Sequence, residues 1–122
     1  MFNLAKFNNS FKYASEGLSF AIKENQNIKI HIIIAILVLI FGLILGLTRY
    51  ELFGICVLIV LVISAEMINT SIEEVVNLLV NEHRKEAKIA KDVSAGMVLL
   101  ISIFALIVGL FIFIPHLVLL LG

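Results

Sequence analysis

The chain has 122 residues, of which 61% are hydrophobic and 15% charged, and its mean hydropathy is +1.14. Nine basic residues balance nine acidic ones, so no charge excess points to nucleic acid, and a single cysteine, Cys56, excludes an intrachain disulfide. A soluble domain holds about 45–50% apolar and about 25% charged residues; this composition is that of an integral membrane protein forming one unit, residues 1–122, with no room for a second domain.

Residues 2–24 place Phe7, Phe11, Ala14, Leu18 and Ile22 at helical spacing with Lys, Asn, Ser and Glu between them. That pattern predicts an amphipathic helix whose aromatic and basic mix suits the membrane surface, the whole surface segment being 1–29. The same segment has Lys6, Lys12, Lys23 and Lys29 but no uninterrupted apolar core and no small-residue cleavage site, so it reads as mature chain and not as a secretory signal. Three apolar segments follow, at 30–47, 52–65 and 93–114. A bilayer core of about 30 Å needs about 20 helical residues, which predicts three transmembrane helices: 30–47, 52–80 with its end in the cytoplasm, and 88–121. The expected fold class is therefore all-α integral membrane, a surface helix followed by three spans. Arg84, Lys85, Lys88 and Lys91 crowd the second loop, whereas the first turn has only Arg49 and the C-terminus has no basic residue. The positive-inside rule then places the N-terminus and second loop in the cytoplasm and the C-terminus outside, in the cell membrane.

The second span ends unusually, in "SAEMINTSIEEVVN" (64–77). With Glu66 at zero and about 100° per residue, Asn69, Thr70, Glu73 and Asn77 fall at roughly −60°, +40°, −20° and +20°. They form one narrow polar stripe, about 7–8 Å inside the cytoplasmic boundary at Glu66 and at that boundary by Glu73. Asn and Thr alone would serve as hydrogen-bonding glue between helices. Two carboxylates would not, because each needs a cation or water to be tolerated there. A carboxylate at Glu66 suits a proton acceptor, and Glu73, nearer water, suits Mg²⁺ shared with phosphate oxygens. Lys91 can meet phosphate. Asp92, read as lying at the start of the third span, also fits plain helix capping. Together these parts describe phosphoryl transfer to something dissolved in the membrane, on the side where ATP is found.

"AEMINTSIEEVVN" with "AKIAKDVSAG" resembles the prokaryotic diacylglycerol kinase family, whose pattern is close to E-x-x-N-[ST]-[AS]-I-E-x-x-V-D followed by A-K-D. The 18 residues between Glu73 and Asp92 keep the family spacing, and "EGL" (16–18) and "ENQNIKIH" (24–31) extend the likeness over essentially the whole chain. The resemblance implies a homotrimer with active sites at subunit boundaries, MgATP as donor and a lipid hydroxyl as acceptor. It implies Glu66 as general base, Asn69 as the amide beside it, and Glu73 as a metal carboxylate. Lys91 and Asp92, with Asn77, take the nucleotide side. Glu24 is the second metal carboxylate, with Asn25 the alternative on a one-residue shift. Two positions depart from the pattern: Asn77 stands for the usual Asp, and His83 precedes the usual His position, which here is Arg84. "ENQNIKIH", "NTSIE" and "AKIAKDVSAG" look more like the Gram-positive branch, which phosphorylates undecaprenol, than the branch that prefers diacylglycerol.

No P-loop or protein-kinase glycine loop occurs, which excludes those two ways of holding ATP but not ATP itself. Gly42-x-x-x-Gly46 is a small-xxx-small pattern that permits close helix contact. His31 and His116 read as interfacial packing residues and Cys56 as an apolar core residue. Ser64, Ser71 and Ser94 have no evident histidine partner and are set aside as nucleophiles. A non-enzymatic ion-coupled carrier using Glu66 is the competing reading, against which the loop "AKIAKD" speaks, since a carrier has no need of it.

Overall fold

Each helix boundary has a local cause. The computed structural model describes residues 1–122, and they form α1 (Leu4–Glu24), α2 (Gln26–Leu45), α3 (Arg49–Leu79) and α4 (Lys85–Leu121). Asn3 caps α1 by accepting from the Lys6 N–H at 3.0 Å. One residue separates α1 from α2: Asn25 leaves helical geometry (φ −95°, ψ 111°), and its side chain accepts from the N–H groups of Asn27 and Ile28 at 2.8 and 3.2 Å. Two orphan donors at the start of α2 are thereby satisfied.

Gly46 ends α2 in the left-handed region at φ 74°. Its N–H bonds the Leu43 carbonyl, and the Leu47 N–H bonds that of Gly42 at 3.0 Å, which is the Schellman arrangement. A side chain in that conformation costs roughly 1–2 kcal/mol. Gly46→Ala is accordingly expected to lower the thermal midpoint of the detergent-solubilised protein, whereas an unchanged midpoint would show that the turn relaxes. The two glycines of the Gly42-x-x-x-Gly46 pattern thus have different jobs. A Cβ at Gly42 would meet Leu47 Cδ2 at 3.2 Å and Leu52 Cδ2 at 3.4 Å, while Gly46 has open space around it. Close approach occurs at Gly42 alone.

Thr48 and Glu51 form a reciprocal capping box that starts α3, with bonds of 3.2 and 2.8 Å. Glu51 also meets His116 Nε2 at 2.9 Å, tying the start of α3 to the far end of α4. α4 begins at Lys85 with Arg84 as its cap. Asp92 therefore lies two turns inside the helix and does not cap it, a correction to the capping reading. The run "KEAKIAK" is rich in strong helix formers and carries the helix back into the loop.

α2, α3 and α4, with 20, 31 and 37 residues, are long and apolar enough to cross a membrane. At about 1.5 Å per residue, α3 and α4 also exceed the bilayer core. The protein is an all-helical, multi-pass membrane protein. Only 12 of 122 residues are buried, so most apolar side chains point outward, as lipid contact requires. α3 lies between α2 and α4 and touches both. Its buried residues, Ile55, Leu58, Val62, Ala65, Glu66 and Asn69, recur at three- and four-residue spacing. The apolar seam of the bundle thus runs directly into the polar stripe. Phe41 of α2 stacks on Phe113 of α4 with ring centroids 5.9 Å apart, toward the end of the bundle away from the polar stripe. α1 touches α2 and α3, and among its residues only Ala21 is buried.

Candidate active site

The site forms where the end of α1, the start of α2 and the polar turns of α3 meet. Ile28, fully buried, and Ala21 fix the α1–α2 junction against the bundle. The junction brings Asn25 onto α3, where its amide donates to Thr70 Oγ1 at 2.6 Å and to Glu66 Oε2 at 3.4 Å. One asparagine side chain thus caps α2 with its oxygen and holds the α3 stripe with its nitrogen. Thr70 in turn donates to the Glu66 carbonyl at 2.9 Å.

Glu66 is buried, its side chain 3% exposed, and His31 Nε2 lies 3.5 Å from its second carboxylate oxygen. Asn69, also buried, is held from both sides. Its amide donates to Glu73 Oε1 at 3.4 Å, and its oxygen accepts from Ser94 Oγ of α4 at 2.5 Å. The Lys91 carbonyl lies 3.0 Å from the same hydroxyl, whose one proton the two acceptors share. Every buried side-chain nitrogen and oxygen has a partner. The polar groups are therefore paid for locally, and the stripe is a connected network.

Beside the network opens a polar cavity of about 270 Å³ lined by Glu24, Asn25, Asn27, Asn69, Thr70 and Glu73, among others. Glu24 is exposed and Glu73 half-buried, and both face this space. Asn25, the alternative to Glu24, touches Glu66 itself. The remaining residues singled out from the sequence lie elsewhere. Lys91 Nζ donates to Asn77 Oδ1, one turn beyond Glu73 on α3. Exposed Asp92 pairs with Lys88 along α4. None of these three lines the polar cavity.

His31 departs from its reading as a packing residue, because it stands against Glu66. Ser94, set aside as a nucleophile, is a hydrogen-bond donor to Asn69. The signal for His31 was one imidazole inside the apolar run "IKIHIII". For Ser94 it was a hydroxyl three residues after Lys91, on the face of α4 that meets α3.

Residues 12–113 match the model of the prokaryotic diacylglycerol kinase family. The chain is 37% identical over 114 residues to the undecaprenol kinase of Bacillus subtilis (strain 168), covering 93% of each chain. It is 40% identical over 101 residues to the diacylglycerol kinase of Synechocystis sp., covering 82% of this chain and 58% of that one. The carrier reading has no place in this match, and Glu66 with its network belongs to an enzyme. The chain is a member of the prokaryotic diacylglycerol kinase family, a lipid kinase with three helices built to cross the membrane.

Proposed function

We propose that the protein transfers the γ-phosphoryl group of ATP to the primary hydroxyl of undecaprenol at the cytoplasmic membrane edge. The observation that carries this reading is a buried carboxylate, Glu66, set in a membrane helix next to a polar cavity lined by three further carboxylates, Glu24, Glu73 and Glu74. The choice of lipid rests on the relative of matching length, an undecaprenol kinase covered over 93% of its chain. Diacylglycerol, the acceptor in the name of the Synechocystis relative, is the alternative.

In this mechanism Glu66 accepts the hydroxyl proton. The Asn25 amide, itself held by Thr70, keeps the Glu66 carboxylate in one orientation, so that little is lost to rotation when the acceptor arrives. Asn69, clamped between Ser94 and Glu73, fixes the spacing between the base and the cavity. No three His, Cys, Asp or Glu side chains converge within the chain. Magnesium does not require such a cluster, since it binds through one or two carboxylates together with phosphate oxygens and water. Glu24 and Glu73 supply hard oxygen donors on one cavity and would hold it there. When bound, Mg²⁺ neutralises charge on the phosphates. Lys91 lies one turn nearer the cytoplasm, beside Asn77, where its ammonium can reach nucleotide phosphates. Asp92 is assigned to the same nucleotide side, and uncharged Asn77 leaves Lys91 without a competing carboxylate.

The cavity is open at its edge, which supports assembly into a homotrimer whose neighbouring subunit closes it. α1 lies on the cytoplasmic membrane surface as segment 1–29. The spans are 30–47, 52–80 and 88–121, with the C-terminus outside. The test is phosphorylation by purified protein in mixed micelles containing equal amounts of undecaprenol and diacylglycerol. A higher kcat/KM for undecaprenol is expected, and a higher value for diacylglycerol would transfer the proposal to that lipid.

A further inference from the structure

A base buried as deeply as Glu66 must also lose the proton it gains. With its side chain 3% exposed, its carboxyl group has no direct route to bulk water. Most of its neighbours cannot help. The Asn25 amide is a donor to it, Thr70 is committed to the Glu66 carbonyl and to Asn25, and Asn69 is turned toward Glu73 and Ser94. His31 differs. Its Nε2 is 3.5 Å from Glu66 Oε1, and its side chain is 25% exposed. It also lines an apolar cavity of about 380 Å³ bounded by Val38, Leu58, Val62 and Phe113. The imidazole therefore stands between the polar stripe and the apolar cavity, next to the boundary where the proposed span 30–47 begins. Catalytic hydrogen bonds are often long before substrate binds and tighten afterwards.

The other ionisable groups near this pair are Glu73 and Glu74 of α3 and Glu24 at the end of α1, all lining the polar cavity, and Lys91 of α4, which is bonded to Asn77. Ser94 of α4 faces the buried part of the stripe at Asn69.

We propose that His31 is a positioning residue and the proton outlet of Glu66, a role that rests on reading Glu66 as the base. In the transfer, the acceptor oxygen bonds to the γ-phosphorus as the bond from that phosphorus to the departing nucleoside diphosphate breaks. The hydroxyl proton passes to Glu66 and then to the unprotonated Nε2 of His31. The imidazolium releases a proton to water at its exposed edge, which restores the carboxylate and the neutral ring. An imidazole suits this handover because one ring nitrogen can accept a proton while the other carries one.

The experiment uses the full chain in mixed micelles with MgATP and the lipid that the wild type phosphorylates fastest. His31→Ala is expected to lower kcat about 100-fold, the lower end of what a positioned acid–base group supplies, with the KM for ATP little changed. Added imidazole should restore the rate in proportion to its free-base fraction as pH is varied, while pyrrole, similar in size but not basic, should restore nothing. His31→Gln should be slow with an unchanged thermal midpoint, and it carries the test if His31→Ala does not fold. Wild-type turnover in either folded variant overturns the proposal, as does rescue by pyrrole equal to that by imidazole. Glu66→Gln is assayed in parallel: full activity there would remove the base itself, a failure distinct from loss of the outlet alone.

Discussion

Glu66→Gln is expected to lower kcat for lipid phosphorylation by about 10²–10⁴-fold, the range that a positioned general base supplies, while nucleotide binding and the thermal midpoint stay near those of the wild type. The glutamine keeps the shape of the glutamate. Its oxygen still accepts from the Asn25 amide, and its NH₂ group donates toward His31 Nε2, so the contacts at 3.4 and 3.5 Å retain partners. What disappears is the ability to take a proton. Initial rates, measured with a nucleotide-binding titration on the same preparation, separate this from misfolding. Full turnover in the variant would take the role of base away from Glu66.

Glu73→Gln produces a different signature. Glu73 accepts from Asn69 through Oε1 and faces the polar cavity with Glu24. The amide oxygen of glutamine preserves the bond to Asn69, so the network around Glu66 stays intact. The negative charge available to a divalent cation is lost. Changes in the outer shell of a metal site typically cost 10–100-fold in affinity, and removal of a ligand should cost at least about tenfold. The Mg²⁺ concentration for half-maximal rate should rise accordingly, with partial recovery at high Mg²⁺. A Mg²⁺ dependence identical to that of the wild type would assign Glu73 to structure alone.

The polar stripe was legible because charge in an apolar helix is costly and has to be placed. Glu66, Asn69 and Glu73 stand out because they follow directly on the apolar run 52–63, and helical periodicity puts them on one face. The structure adds that this face continues the buried seam of Ile55, Leu58, Val62 and Ala65. The α1–α2 junction was less legible. Glu24, Asn25, Gln26 and Asn27 are all polar, and composition cannot say which one turns inward. That is decided by the helix break at Asn25, whose capping geometry leaves its amide pointing at α3. His31 was misjudged because a lone imidazole in an apolar run has no local partner. Its partner lies 35 residues away on another helix, and only the packing of α2 on α3 brings them together.

α4 begins at Lys85, three residues before the span 88–121 expected from the sequence, so Asp92 lies inside the helix and not at its start. Local helix propensity in "KEAKIAK" outweighed the loop character suggested by its charges. With α4 starting at Lys85, Asp92 is four residues after Lys88 and pairs with it on the helix surface. Lys91 turns instead toward α3 and reaches Asn77. The adjacent pair of residues that the resemblance assigned to the nucleotide is thus split between two directions.

The central claim is that the metal, with the nucleotide phosphates it binds, sits at the cavity between the α1–α2 junction and α3, and affinity cleavage tests it most directly. Fe²⁺ takes the place of Mg²⁺ with a non-hydrolysable ATP analogue, and ascorbate with peroxide then cuts the chain near the bound iron. Nucleotide-dependent cuts are expected around residues 24–27 and 69–74, the two segments that line the cavity. Cuts confined to the α3–α4 loop at 80–84, or no cutting above that caused by free iron, would contradict it.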